Sequence, residues 1–309
     1  MKPNKNRLLL AVTFTIACTI TCMTFTTANA HTDGQTAHNH PAGKPTIDLQ
    51  ANTISPSATY LGNEGVMITS GDMHSTKPAK ITKVLFDPFF HNNYSIYQLV
   101  PRKIHQAIMK GEKPYDDIDA LFISHAHGDH FSAEDTIEFL RAHPKTKLVA
   151  PKQAVDALIG LKNSAAVMSQ VTSVALDYGD KPWSKKLGDL MIEAVRVPHA
   201  GWPGRATVEN IVFRVTLNDQ VTVMHMGDAD PDDSHFKPFK AHWMQRQTDT
   251  AFPPYWFLTS AQGNLILNQR INAVQHIGVH VPVKVPLRLQ QSGKDYFTVP
   301  GEQRIVGGG

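Results

Sequence analysis

Cysteine is nearly absent: the 309-residue chain has two, Cys18 and Cys22, and both fall in an N-terminal stretch that reads as an export leader. Lys2, Lys5 and Arg7 precede an apolar run from Leu8 to Phe25, and Ala28-Asn29-Ala30 offers a small-residue cleavage site. Residues 1–30 are therefore expected to be a signal peptide, and the product periplasmic or secreted. A lipoprotein anchored at Cys18 is the alternative, but Thr15 is a poor match to the usual apolar position. Without the leader the chain has no thiol, which excludes a disulfide framework, a cysteine nucleophile and thiolate metal ligands. No stable membrane insertion is expected after cleavage.

Excess charge is also lacking. Removing the three leader cations from 30 Lys and Arg leaves 27, against 27 Asp and Glu. A neutral chain gives no support to nucleic-acid binding, so a small-molecule substrate is the expected partner. No internal repeat is visible, and the length after the leader suits a single large α/β domain.

Residues 31–55 are polar and carry His31, His38 and His40 among Thr, Gly, Asn and Pro. They read as a flexible linker with incidental histidines. From residue 56 to 309 the texture is that of one folded domain. Strands are expected over 64–69, 81–86, 118–124, 147–150, 171–176, 189–198, 208–217, 220–227 and 273–281. Helices are expected over 101–110, 133–142, 151–160 and 235–246. Strand pairs alternating with helices predict sheets covered by helices. Ser132 with Asp135 resembles a capping box just before the apolar run Thr136 to Leu140.

Between the strand ending at Ser124 and that helix lies His125-Ala126-His127-Gly128-Asp129-His130. Three imidazoles and a carboxylate in six residues are hard to justify in a half-buried loop unless something bonds them. A zinc ion does so, taking imidazole nitrogen and carboxylate oxygen and keeping a position open for water.

Together with the strands on either side of it, this loop resembles the metallo-β-lactamase superfamily over about residues 60 to 285. The resemblance implies an α/β fold, the four-layer αββα sandwich, and a zinc-dependent hydrolase with two zinc ions, other divalent metals being possible. It assigns His125 and His127 to one metal and Asp129 and His130 to the other. Later donors in the family's order are His199 after Val195 to Pro198, the bridging Asp228 after Gly227, and His280 after Ile277 to Val279. His276 competes with His280 for the last place; the two lie about 13 Å apart on a strand, and Pro282 beside His280 favours the latter. Asp87, after Ile81 to Phe86, is expected to support the loop without touching metal. His225 should point to the other face from Asp228.

In this reading the metals share a hydroxide that attacks a lactone, ester, amide or phosphodiester, with Asp129 and Asp228 catalytic. Phe90, His91, Tyr94, Trp202 and Arg205 are substrate-pocket candidates. Asn63-x-Gly65 and Asp87-Pro88-Phe89 look most like the branch containing ascorbate-6-phosphate lactonase and N-acylphosphatidylethanolamine phospholipase D. The alternatives are an exported zinc-buffering protein, which would need no bridging Asp, and a β-lactamase, a class that generally lacks an Asp between the metals. Flavo-diiron chemistry would require a carboxylate in place of an early histidine and a flavin domain, and the sequence has neither.

Overall fold

A computed structural model describes residues 55–71 and 81–307. The leader, nearly all of the polar linker and its histidines lie outside the described residues.

Two seven-stranded sheets form the centre. The first contains β1 (Ser57–Gly62), β2 (Gly65–Gly71), β3 (Ile81–Phe86), β4 (Ala120–Phe122), β5 (Lys147–Pro151) and β6 (Val171–Val174). The second contains β7 (Trp183–Leu187), β8 (Leu190–Arg196), β9 (Ile211–Leu217), β10 (Val221–His225), β11 (Thr248–Phe252), β12 (Ala273–Gly278) and β13 (Asp295–Tyr296). The last strand, β14 (Gln303–Ile305), returns to pair antiparallel with β1. Both sheets are mixed: β3 to β6 run parallel, as do β10 to β13, and the remaining pairs are antiparallel.

Side-chain alternation along these strands makes three apolar interfaces. Val84 and Phe86 of β3 and Phe122 of β4 face Ile192, Phe213, Val215 and Val223 of the second sheet. The intervening Leu85 and Leu121 point the other way, onto α1 (Arg102–Lys110), α2 (Ala133–Ala142) and α3 (Lys152–Ile159) through Ile108, Phe139 and Leu158. On the outer face of the second sheet, Val195, Val212 and Met224 meet α4 (Asp233–Phe236), α5 (Lys240–Trp243), α6 (Tyr255–Thr259), α7 (Ala261–Gln269) and α8 (Leu287–Gln290). Three interfaces require four layers, helix–sheet–sheet–helix. Each buried Val, Leu, Ile or Phe contributes about 1.5–3 kcal/mol relative to exposure.

The helix expected over 235–246 is broken into α4, a 3₁₀ turn at Lys237–Phe239 and α5. Pro238 explains the break, since it lacks the N–H that a continuous helix needs there. The strands β1, β7, β11, β13 and β14 and the helices α6 to α8 were not apparent in the sequence pattern. β7 is largely exposed and β13 and β14 are two and three residues long, so they present little hydrophobic period to read. The start of α2 is as expected: Ser132 Oγ accepts from Asp135 N at 3.3 Å. The Asp135 carboxylate does not reach back to the cap; it faces His91 and His105 at 2.9 and 2.8 Å.

Candidate metal centre

The chain segments leaving β3, β4, β8, β10 and β12 at their C-terminal ends converge at one edge of the sandwich, a usual place for chemistry in α/β sheets. They carry Asp87, the 125–130 loop, His199, Asp228 and His280 respectively. The sheets are joined there by Ile211 N donating to Ser124 O at 2.9 Å. Asp87, with φ of 42°, is turned beneath the loop. Its carboxylate accepts from Ser124 N at 2.7 Å, from Ser124 Oγ at 2.5 Å and from His130 Nδ1 at 2.9 Å.

These bonds settle which imidazole nitrogens carry protons. Ser124 Oγ gives its hydrogen to Asp87, so at 3.0 Å it accepts from His125 Nδ1. His130 Nδ1 donates to Asp87, and His199 Nδ1 donates to Ala200 O at 2.8 Å. The Nε2 atoms of all three histidines are left to face inward. His127 instead presents Nδ1, 3.1 Å from His125 Nε2.

Apart from a fully buried set of Glu64, Asp87 and His130, two donor groups result, each with its ligand atoms within 4.8 Å of one another: His125, His127, His199 and Asp228; and Asp129, His130, His280 and Asp228. Asp228 belongs to both. Its Oδ2 lies 3.1 Å from His199 Nε2 and 3.9 Å from His125 Nε2, while Oδ1 lies 3.1 Å from His280 Nε2 and 3.4 Å from His130 Nε2. Asp129 Oδ2 is 3.4 Å from His280 Nε2 and 3.6 Å from His130 Nε2.

The buried atoms Asp129 Oδ1, His130 Nε2, His199 Nε2, Asp228 Oδ1 and His280 Nε2 have no hydrogen-bond partner. One such atom costs about 1–3 kcal/mol, and a cluster of five is what a bound cation would satisfy. Mixed imidazole and carboxylate donors in two small groups suit zinc. Burial, reinforced by the neighbouring imidazoles, pushes His125 and His127 below the usual histidine range. Burial opposes charge on His280 and His130 as well, but Asp228 and its neighbours outweigh it, raising His280 to about 9 and His130 well above its ordinary value. Asp228 is correspondingly held well below the carboxylate range by His280 and His130 despite its burial. Cation binding there displaces protons.

Backbone geometry supports the same atoms. Gly227 has φ of 53°, and an added Cβ would collide with Asn210 Oδ1 and meet Ser124 Cβ at 2.7 Å. Only glycine fits, which lets Asp228 N donate to Asn210 Oδ1 at 3.0 Å. His280 takes φ of 56° although it is not glycine, a sparsely populated conformation held by His280 N donating to Asn63 O at 2.9 Å. Asn63 also donates from Nδ2 to Asp129 O at 2.9 Å.

The expected pocket residues divide. Tyr94 and Arg205 line a cleft of about 360 Å³ that opens onto His127, Asp129, Asp228 and His280. Phe90 does not; it is 3% exposed and packs in the core between the first sheet and its helices, where the cost of exposing an aromatic ring keeps it. His91 is turned outward to Asp135. Trp202 packs against Tyr178 and His235, at 5.0 and 5.6 Å between ring centroids. His276 is in neither donor group. His225 is buried, stacked on Phe86 at 5.0 Å and 3.0 Å from Glu64 O.

Three neighbours of the site escaped sequence reading. Ile96 and Tyr97 line the cleft, with the Tyr97 ring edge-on to His280 at 4.1 Å. Glu64 is fully buried with neither carboxylate oxygen hydrogen-bonded, 3.9 Å from His130 Nδ1 and 3.7 Å from His225 Nε2. Burial first, then Asp228, drives its carboxyl well above the usual range, against the opposing pull of His130 and His280. The available signal was a carboxylate in the turn of an otherwise apolar hairpin, Leu61-Gly62-Asn63-Glu64-Gly65-Val66.

Residues 82–286 match the family model described as a beta-lactamase superfamily domain. A UPF0173 metal-dependent hydrolase of Pyrococcus abyssi is 25% identical over 147 residues, 48% of this chain and 54% of the relative. Its counterpart in Pyrococcus furiosus is 27% identical over 150 residues, with the same two coverages of 48% and 54%. The chain thus spans about half the length of these curated relatives. Among solved structures, Igni18, a metallo hydrolase from the archaeon Ignicoccus hospitalis, superposes with a TM-score of 0.50 at 14% identity, covering 81% of this chain and 98% of that one, a likeness of fold. With a family match that runs from β3 past His280 and so takes in every candidate donor of both groups, the chain belongs to the beta-lactamase superfamily.

Proposed function

We propose that this chain is a two-zinc hydrolase of lactones, esters or phosphodiesters. His125, His127 and His199 would hold one ion, Asp129, His130 and His280 the other, and Asp228 both. The observation that carries this is the division of the Asp228 carboxylate, with one oxygen 3.1 Å from His199 and the other 3.1 Å from His280. When bound, the metals supply a hydroxide at neutral pH and polarise the oxygen of the scissile group.

The chain's own groups do the rest. Asp87 fixes the orientation of the loop imidazoles through Ser124 and His130, and such outer support raises ligand basicity. Asp129 has one oxygen turned to His280 and the other unbonded, so it can hold the attacking water by a hydrogen bond and take its proton. Asp228 fixes the spacing of the two donor groups, while its negative charge tempers Lewis acidity. That balance suits oxygen leaving groups better than the amide nitrogen of an opened β-lactam.

A cleft open onto both donor groups argues against a zinc-buffering role, which has no use for one. The motifs at Asn63 and Asp87 support a place near the ascorbate-6-phosphate lactonase and phospholipase D-like branch. The leader supports a periplasmic or secreted product, and N-terminal sequencing from the native host should then begin near His31. The activity test is a panel of acyl lactones, 4-nitrophenyl esters, bis-4-nitrophenyl phosphate and a chromogenic cephalosporin. Turnover of oxygen esters that is abolished in Asp228→Ala is expected, with about two metal ions per wild-type chain by elemental analysis. Efficient cephalosporin turnover with negligible turnover of the others would overturn the assignment.

A further inference from the structure

The cleft has two unlike sides. Tyr97, edge-on to His280, stands with Tyr94 and Ile96 beside the donor group of Asp129, His130 and His280. Arg205 stands beside the other group, with Nη1 3.5 Å from His199 Nδ1. That approach is no hydrogen bond, because the Nδ1 proton is given to Ala200 O. Among the described residues Arg205 has no carboxylate in ion-pair range. Arg196, Arg214, Arg246, Arg270 and Arg304 do, and of the remaining described arginines Arg205 is the one that lines this cleft.

The loop that presents Arg205 is held on several sides. Asp230 Oδ2 accepts from Gly201 N at 3.0 Å and Trp202 N at 3.2 Å, Ala200 N donates to Asp228 O at 2.7 Å, and Val208 N donates to Arg205 O at 3.0 Å. Gly201 takes φ of 92°, a conformation that favours glycine, and the Arg205 stem runs past it, with Cδ 3.6 Å from where a Cβ would stand. A guanidinium is thus placed, without an acidic partner, on the wall of a cleft whose lining carboxylates, Asp129 and Asp228, belong to the donor groups. Its planar fork suits an oxyanion with two acceptor oxygens.

We propose that Arg205 is a specificity-determining residue that receives an oxyanion, carboxylate or phosphate, carried by the substrate. The substrate class is then an anionic ester or lactone, its charged group beside His199 and its apolar part against Tyr94, Ile96 and Tyr97. This rests on the hydrolase reading above and deepens it.

The test uses zinc-loaded protein and three esters matched in length: 4-nitrophenyl butyrate, 4-nitrophenyl hydrogen succinate and the 4-nitrophenyl ester of 3-phosphonopropionic acid. The expected result is a kcat/KM for at least one anionic ester about tenfold or more above that for butyrate, expressed mainly in KM. In Arg205→Met that ratio should fall to near one, and in Arg205→Lys it should be intermediate, because the charge remains without the fork. Which anion gains more distinguishes carboxylate from phosphate substrates. Calorimetric affinities of succinate and 3-phosphonopropionate against butyrate supply a readout that needs no turnover, and the same loss of preference in Arg205→Met is expected. A wild-type preference near one in both measurements, or a preference unchanged in Arg205→Met, would overturn the proposal. Absence of turnover with any ester would count against the ester reading, while the binding ratios would still decide the role of Arg205.

Discussion

Arg214 and Glu193 form a buried charged cluster on the outer face of the second sheet, and the imidazole–carboxylate cluster forms another at the strand ends. In the first, the two charged groups satisfy each other. Arg214 is fully buried, and it bonds Glu193 through Nε at 2.7 Å and Nη2 at 2.6 Å and gives Nη1 to Trp243 O and Arg246 O, both at 2.8 Å. Its guanidinium also lies 5.0 Å from the Trp243 ring. The second cluster leaves six buried donor-residue atoms unsatisfied, five of them the inward-facing atoms of the two donor groups and the sixth His280 Nδ1. Burial of charge alone therefore does not mark a functional site; what marks it is burial combined with bonding capacity that the protein itself leaves unused.

The largest effect should come from breaking the closed cluster. Arg214→Met leaves the Glu193 carboxylate without its main partner and should cost about 3 kcal/mol or more in urea unfolding. Adding Glu193→Leu should recover most of that loss, because an apolar pair replaces the ion pair. Metal content per folded chain should not change in either variant.

The open cluster should respond to chelator instead. Removing metal from wild-type protein at a free concentration 100-fold above its dissociation constant should lower stability by about 2.7 kcal/mol. In His199→Ala and His127→Ala, thermal unfolding with and without chelator should nearly coincide, and elemental analysis should show metal loss. Equal metal content in wild type and variants would remove the distinction between the clusters.

Asp87→Ala tests the support beneath the open cluster. Metal affinity, followed by competition with a chromogenic chelator, should fall about 10–100-fold, equivalent to about 1.4–2.7 kcal/mol. Asp87→Asn keeps one acceptor oxygen and should fall between wild type and alanine.

The smallest effect concerns a polar group outside both clusters. Partial burial would raise the Asp135 carboxyl, but His105 and His91 outweigh it and hold it below its ordinary value of 3.8. A depressed folded-state value means the contribution is complete above the unfolded range and is lost as pH falls through the folded value. Between pH 7 and pH 3, Asp135→Asn should therefore lose less stability than wild type, the difference staying below about 1 kcal/mol as for an exposed pair. Parallel pH profiles for the two proteins would show that these histidines do not matter.

How far the site was legible depended on where its information lies along the chain. The 125–130 loop was visible because four candidate donors fall within six residues, whereas His199, Asp228 and His280 were picked out through the resemblance to the superfamily, whose later donors follow apolar strands. Glu64 and Tyr97 were not, since each is a lone polar or aromatic residue whose role depends on a segment far away in sequence: Glu64 faces His130 and His225, and Tyr97 meets His280; Asn63 was noticed as a motif, but its bond to Asp129 was not. Phe90 misled for the converse reason, because a position next to a strand end says nothing about which way a ring turns.

By itself the sequence determined the strand-to-helix loop with its four candidate donors, the Ser132 cap of α2 and the apolar centres of the main strands. These are local matters of residue type, spacing and periodicity, settled within a turn or a strand. Only the tertiary structure decided that Asp228 faces both donor groups, that Asp87 orders His125 through Ser124 and His130 directly, that β14 closes the first sheet beside β1, and that Arg205 lines the cleft with no carboxylate in ion-pair range among the described residues. Those depend on bringing together the ends of strands from two sheets, and the contacts that do so are long-range, made only when the apolar faces of the four layers pack.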